Sequence, residues 1–258
     1  MTTRISQLFD SQSSPILSVY FCAGSKGAED VKHTLLAMQQ GGISMAEIGI
    51  PFSDPMADGP VIQKAATQAL HAGMSLHHLF LELRDVRTSV IMPLILMGYL
   101  NPIYQYGFRA FCRSCKDIGI DGLIIPDLPF DIYLNEYKPV ADEFGIDMIM
   151  LITPQTSAER VRLIDKHTSG FIYQVSTDAT TGEQGVYGEA TLAYFARIEK
   201  MKLNNPTLVG FGVSNKATFD AATSHSRGAI VGSLFQRMLS TSSTPEEAVT
   251  RLKQALAK

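Results

Sequence analysis

The chain has 258 residues, 45% of them apolar and 18% charged, with a formal net charge of −3. That length suits two small domains or one barrel of roughly 250 residues, and the apolar content is ample for a core. The slightly acidic balance leaves no basic excess to follow a nucleic acid, and three cysteines are too few for a disulfide framework.

In chain order, short apolar runs alternate with segments of helical period. Residues 1–7 lack the apolar core of a secretory signal. The first strand candidate is 15–21. The second, 45–50, leads into the most informative stretch of the chain, Ala46-Glu-Ile-Gly-Ile-Pro-Phe-Ser-Asp-Pro-Met-Ala-Asp-Gly-Pro60. Strand side chains alternate, so Ile48 and Ile50 share one face, against a helix layer, while Glu47 and Gly49 share the other. Glu47 is thereby sent into the interior, where an unpaired carboxylate is expensive. A buried ion pair or a frayed strand end is the bland explanation, but the segment holds no basic residue, and Gly49 leaves room beside Glu47. A carboxyl in an apolar pocket is pushed toward neutrality, which suits general acid–base work. Asp54 and Asp58 follow in a loop braced by Pro51 and Gly59-Pro60. A lone loop aspartate is ordinarily a turn or cap residue. An inward glutamate followed by a braced, aspartate-bearing loop instead suggests a lid over strand ends.

Ile62, Ala65, Ala66, Ala69 and Leu70 form a helical stripe that stops at Gly73. Strand candidate 92–97 lies in the longest apolar stretch, 90–100, which Pro93 and Gly98 interrupt and which falls well short of the ~20 residues of a membrane span. No membrane partner and a cytoplasmic location are the expectation. A second stripe, Phe108, Phe111, Cys112, Cys115 and Ile118, ends at Gly119; it places both cysteines mid-helix in the core rather than at a redox helix start. Candidates 122–125 and 147–152 follow, then a capping box, Thr156-x-x-Glu159, ahead of Val161 and Ile164. Candidate 170–176 precedes a glycine-bearing loop, Thr180-Thr-Gly-Glu-Gln-Gly185. Candidates 207–211 and 228–231 run into Val209-Gly-Phe-Gly-Val-Ser214 and Val231-Gly-Ser233. A second box, Thr244-Pro-Glu-Glu247, opens a last helix carrying Val249, Leu252 and Leu256. The six histidines show no metal-ligand spacing, so no metal is expected.

Eight buried strands alternating with helices define an α/β fold, either a closed (β/α)8 barrel or an open doubly wound sheet. The count of eight, and the absence of a Gly-x-Gly-x-x-Gly turn after the first strand, favour the TIM barrel: eight parallel strands in an outer ring of helices, one domain over 1–258. Barrel active sites lie at the carboxyl ends of strands, and phosphate is often held after strands seven and eight by backbone amides and a short helix N-terminus. The glycine turns at 210–212 and 232–233 fit that use.

The stretch from Glu47 to Pro60 closely resembles the signature of the tryptophan synthase alpha chain family. The resemblance runs nearly the whole chain, through Met97-Gly-Tyr-Leu-Asn-Pro102, Ile125-Pro-Asp-Leu-Pro129, Leu151-Ile-Thr-Pro154, Phe171-Ile-Tyr173, Gly210-Phe-Gly-Val-Ser214 and Gly232-Ser233. It implies a lyase that splits indole-3-glycerol phosphate into indole and glyceraldehyde 3-phosphate, in L-tryptophan biosynthesis. It implies no cofactor in this chain, and a beta-chain partner carrying pyridoxal phosphate, in an alpha2beta2 complex. By resemblance, Glu47 is the general acid–base, Asp58 the carboxylate at the indole N–H, and Tyr173 a neighbour of the reacting centre. Phe21 and Leu100 would line the indole pocket, and Thr181, Gly182, Phe211, Gly212, Gly232 and Ser233 would bind substrate, chiefly its phosphate. The segment Ser176-Thr-Asp-Ala-Thr-Thr-Gly182 departs from the Arg- and Gly-Val-bearing loop common in the family, although Thr181-Gly182 is retained. The alternatives are a stand-alone indole-releasing lyase, a non-catalytic subunit that activates a partner, or another phosphate-binding barrel; the last leaves the Ser53–Pro60 loop unexplained.

Overall fold

Eight parallel strands close on themselves in chain order: β1 (Ile16–Cys22), β2 (Met45–Gly49), β3 (Leu94–Met97), β4 (Gly122–Ile124), β5 (Asp147–Ile152), β6 (Ile172–Val175), β7 (Thr207–Gly210) and β8 (Gly228–Val231). β8 pairs back onto β1, with Ile16 opposite Gly228. This is a computed structural model, and it describes residues 3–27, 30–176 and 185–257. The closed (β/α)8 barrel is therefore the architecture, and the open sheet is excluded. Each expected strand is present. β3 begins at Leu94 rather than 92 because Pro93 has no N–H for the ladder; its carbonyl still accepts from Ala46.

The helices are α1 (Arg4–Ser11), α2 (Val31–Gln40), α3 (Pro60–His71), α4 (Leu76–Glu82), α5 (Leu100–Tyr106), α6 (Phe108–Ile118), α7 (Phe130–Ile132), α8 (Lys138–Phe144), α9 (Ala158–His167), α10 (Glu189–Lys200), α11 (Lys216–Thr223), α12 (Ser233–Thr241) and α13 (Pro245–Ala257). Both helical stripes sit where expected: Ile62, Ala65, Ala66 and Ala69 are buried on α3, and Phe111, Cys112, Cys115 and Ile118 on α6. One cap is displaced by a residue. Ser157, not Thr156, accepts from the Arg160 N–H to start α9, while Thr156 accepts from the Thr153 N–H in the preceding turn.

The alternation of strand side chains separates two cores. Val19, Phe21, Ile48, Leu96, Ile172 and Val209 face the helix ring. Ile16, Tyr20, Met45, Ile95, Ile124, Ile149, Tyr173, Leu208 and Ile230 fill the barrel interior. α1, which the sequence patterns did not announce, closes the amino-terminal end of that interior with Ile5, Leu8 and Phe9; Phe9 meets Phe171 with ring centroids 6.1 Å apart. The floor is fastened by Asp121, 6% exposed, whose carboxylate accepts from Arg4 at 2.8 Å, from Arg87 at 2.5 Å and from the Leu94 N–H at 2.8 Å. The interior is thus sealed below and open only at the carboxyl ends of the strands.

Breaking a buried ion pair from one side strands the other charge, at about 3–5 kcal/mol. Asp121→Ala is expected to destabilise the protein by about 3 kcal/mol. Arg4→Ala, at the exposed end of the same cluster, is expected to lose less than about 1 kcal/mol. Urea unfolding midpoints of the two variants check the contrast, and equal losses would contradict it.

Candidate functional site

Strand β2 points Glu47 into the interior, in register with Tyr20 of β1 and Ile95 of β3. Glu47 is completely buried. One carboxyl oxygen accepts from the Ser18 hydroxyl at 2.7 Å, and the other has no hydrogen-bond partner among the described residues. Among the described residues no cation pairs with it. Burial lifts its pKa from 4.5 to about 7, and the Ser18 hydrogen bond works in the opposite direction. The group is therefore balanced between acid and base near neutral pH, the condition for moving a proton both ways.

The space beside Glu47 that Gly49 leaves is filled by a phenol. A Cβ on Gly49 would lie 2.1 Å from the Tyr20 hydroxyl oxygen. Across the barrel the arrangement recurs, since a Cβ on Gly210 would lie 2.2 Å from the Tyr173 hydroxyl. Glycine is required at both positions by close approach of a tyrosine. Burial, then the negative charge of neighbours including Asp58 and Glu47, pushes both phenols well above their usual range, so they stay neutral.

Asp58 hangs over this interior from the loop after β2. Its carboxylate accepts from the Tyr99 hydroxyl at 2.8 Å, and the same Tyr99 oxygen accepts from the Ala57 N–H at 2.9 Å. Tyr99 in turn stacks on Phe52 of the loop, with centroids 5.3 Å apart. Partial burial raises the Asp58 pKa while the Tyr99 hydrogen bond restrains it. Asp54 is exposed; its carboxylate accepts from the Ser53 hydroxyl and its backbone carbonyl from the Met56 N–H, the ordinary turn role expected of a lone loop aspartate.

The third component follows β7 and β8. Phe211 and Gly212 have successive positive φ values of 66° and 72°, a conformation unfavourable for phenylalanine. The turn is held because the Phe211 carbonyl accepts from both Ser176 Oγ (3.0 Å) and the Tyr187 hydroxyl (2.9 Å). Strain retained this way is characteristic of binding sites. Gly212 also has no room for a side chain, as a Cβ would lie 2.9 Å from the Tyr187 ring. Two helix N-termini approach the turn, and they differ. α11 is closed by its own capping box, Asn215 with Thr218. α12 starts behind Gly232, which offers no side-chain cap, so its first N–H groups remain available to an anion.

Glu47, Asp58, Tyr173, Phe211, Gly212, Gly232 and Ser233 all line one cavity of about 630 Å³ at the carboxyl ends of the strands. Two expected site residues lie elsewhere. Phe21 points outward from β1 into the helix layer, because it is one residue out of phase with the inward Tyr20. Leu100 is past the end of β3; it opens α5, donates its N–H to Asp127 and packs on the helix-side core. Tyr20 and Met97 line the cavity in their place. Thr181 and Gly182 lie outside the described residues. Tyr99, Ser18 and Tyr187 were not singled out from the sequence. Ser18 and Tyr20 were accessible in principle, since they alternate with apolar Leu17, Val19 and Phe21. Among the described residues, no group of three His, Cys, Asp or Glu side chains could hold a metal. Nor is any helix among them long and apolar enough to cross a membrane.

Buried Glu47 couples stability to pH with a definite sign. Its native pKa of about 7 lies above the ordinary 4.5, so between those values the native state holds a proton that the unfolded chain has released. Stability therefore falls as pH rises through that window, by about 3 kcal/mol at about 1.4 kcal/mol per pKa unit, and levels off above it. Glu47→Gln removes this contribution, leaving the smaller ones from Asp58 and Asp147, whose pKa values are also raised. Urea unfolding at about pH 5 and about pH 8 should show a drop for the parent chain that is about 3 kcal/mol larger than for the variant. Parallel drops would mean that Glu47 is not buried as a lone carboxyl.

Comparison with known proteins matches residues 7–258 to the family model of the tryptophan synthase alpha chain. A tryptophan synthase alpha chain from Parabacteroides distasonis is 61% identical over 253 residues, covering 98% of each chain. Among solved structures, the tryptophan synthase alpha chain of Legionella pneumophila superposes with a TM-score of 0.88 at 29% identity, covering 100% of this chain and 98% of that one. A chain of the tryptophan synthase complex from Pyrococcus furiosus superposes with a TM-score of 0.83 at 32% identity, covering 94% and 97%.

Proposed function

The chain belongs to the tryptophan synthase alpha chain family, and we propose on that premise that Glu47 and Asp58 divide between them the family's reaction, cleavage of indole-3-glycerol phosphate to indole and glyceraldehyde 3-phosphate. The observation that carries the assignment is the buried Glu47 carboxyl, half satisfied by Ser18, with its second oxygen free at the cavity wall.

The reaction is a retro-aldol cleavage. Protonated Glu47 gives its proton to indole C3, which turns the ring into an iminium-type electron sink with positive charge at nitrogen. The resulting Glu47 carboxylate then takes the proton of the side-chain hydroxyl next to C3. As that O–H bond breaks, the carbonyl of the aldehyde forms, the C–C bond breaks, and its electron pair returns to the ring, neutralising the nitrogen. Glu47 ends protonated, as it began, which a pKa of about 7 permits at neutral pH. Asp58, oriented by Tyr99, faces the charge that develops at the indole N–H. Because that charge is larger in the transition state than in the substrate, the interaction lowers the barrier rather than only tightening binding. Tyr173 and Tyr20, neutral and buried, wall the reacting centre and keep water from it. Phosphate is taken by the Gly212 turn and the uncapped start of α12 at Gly232 and Ser233.

A beta-chain partner in an alpha2beta2 assembly completes this reading, supported by the similarity to a chain of the Pyrococcus furiosus tryptophan synthase complex. Pyridoxal phosphate is assigned to that partner, and none of the steps above uses it.

Removing a positioned acid–base group forfeits about 10²–10⁴-fold in rate. Glu47→Gln is expected to lose at least about 10²-fold in indole release while still folding. Asp58→Asn should lower kcat far more than it raises KM, since phosphate binding is left intact. Indole formation from indole-3-glycerol phosphate measures both. Near-parental turnover of Glu47→Gln would end the assignment, and a pure KM effect of Asp58→Asn would relocate the loop's role to binding.

A further inference from the structure

Two carboxylates face the cavity, yet the substrate that enters it carries a phosphate dianion. The amides of the Gly212 turn and of α12 supply partial positive charge but no full one. In sequence, residues 177–184 include Asp178 and Glu183 and neither lysine nor arginine. The chain as a whole, at −3, exerts no general attraction on an anion.

Arg237 is the one cationic side chain among the described residues that line the cavity. It stands four residues after Ser233 on α12, so the two share a helix face one turn apart, with Cβ atoms about 5–6 Å from each other. Its side chain is exposed, and among the described residues no carboxylate lies within ion-pair distance of it. The arginines near a carboxylate are engaged elsewhere: Arg4 and Arg87 with Asp121, Arg109 with Glu143, and Arg160 with Asp131. A guanidinium on the wall of an acidic cavity, with no ion pair among the described residues and one turn from the open end of a helix, is matched in charge and in fork geometry to phosphate oxygens.

We propose that Arg237 is the charged half of the phosphate seat, reaching back along α12 to the anion held by the Gly212 turn and the Gly232–Ser233 amides, and drawing the anionic substrate past Glu47 and Asp58. The inference rests on the phosphate seat assigned above. It adds a substrate-binding side chain to a site otherwise made of backbone. The chemistry at indole C3 lies away from this contact, so its effect falls on substrate capture. Because the interaction is between solvent-accessible charges, it is screened by salt on the scale of the Debye length, about 8 Å at physiological ionic strength.

The test compares the parent chain with Arg237→Met and Arg237→Lys, exposed positions at which folding is not at stake and is confirmed by circular dichroism. KM and kcat for indole release are measured across ionic strengths, together with inhibition by sn-glycerol 3-phosphate, which carries the phosphate without the indole. For Arg237→Met, KM and the inhibition constant are expected to rise about fivefold with kcat within about twofold, and the salt dependence of kcat/KM to flatten. Arg237→Lys should recover much of the loss. If Gly212→Val raises KM while Arg237→Met leaves KM, the inhibition constant and the salt dependence unchanged, the seat stands and the role of Arg237 falls. If sn-glycerol 3-phosphate does not compete in the parent chain and Gly212→Val is also silent, the seat itself is wrong, and the inference falls with it.

Discussion

The structure turns on one carboxyl group held inside a closed barrel with no counter-ion among the described residues. Glu47 is fully buried on the inner face of the barrel, and among the described residues its side chain is hydrogen-bonded by Ser18 alone. In such surroundings the ionised form is disfavoured, and the group responds by keeping its proton to about pH 7. That response depends on the barrel being sealed. α1 and the Asp121 cluster close the amino-terminal end, the helix ring closes the sides, and only the carboxyl ends of the strands stay open. A leak anywhere would hydrate Glu47 and return it toward an ordinary acid. The elements that give the chain its stability are thus also those that set the chemistry of one residue, although α1 and the Asp121 cluster lie at the end of the barrel away from the cavity.

Around that carboxyl, close approach replaces charge pairing. Gly49 and Gly210 admit the Tyr20 and Tyr173 rings where any side chain would collide with a hydroxyl oxygen. The phenols fill the upper interior with neutral, weakly polar surface, because neighbouring carboxylates and burial both oppose their ionisation. A lysine or arginine in either place would satisfy Glu47 electrostatically and pull its pKa down, fixing it as a permanent carboxylate. The glycine–tyrosine pairs therefore preserve the protonation balance while still packing the barrel.

Much of this was legible in the sequence, and the failures have a specific cause. The parity of 45–50 places Glu47 inward because Ile48 and Ile50 need a helix layer, and the structure has both isoleucines buried on that side. The glycine turns after strands seven and eight are likewise readable, since only a few residue types tolerate such backbones. In β1 the family pattern pointed to Phe21, but Tyr20 and Phe21 are adjacent aromatics of opposite parity. Resemblance alone does not separate them, whereas the polar Ser18, two residues before Tyr20, marks the inward phase. Register supplies what local pattern lacks: Tyr20 lies opposite Glu47. Leu100 fails for a different reason. β3 ends at Met97, three residues earlier, and the chain then turns into α5, so strand alternation no longer governs its direction. The clamp of Tyr99 on Asp58 joins two segments 41 residues apart and leaves no local trace at all.

The two acids are mounted differently, and the difference follows from what each must do. In the proposed reaction Glu47 exchanges protons with carbon and oxygen atoms of the substrate, a transfer that requires a fixed distance of approach, and it sits on a strand bonded on both sides. Asp58, in the same proposal, only has to face a growing charge. Coulombic attraction falls off gently with distance, so a loop position suffices if its orientation is restrained. Tyr99 and Phe52 provide that restraint through one hydrogen bond and one ring stack, both of which can separate without disturbing the barrel. In the proposed reaction Asp58 is thus carried by a loop held through these two contacts, while Glu47 beneath it is fixed in the barrel wall.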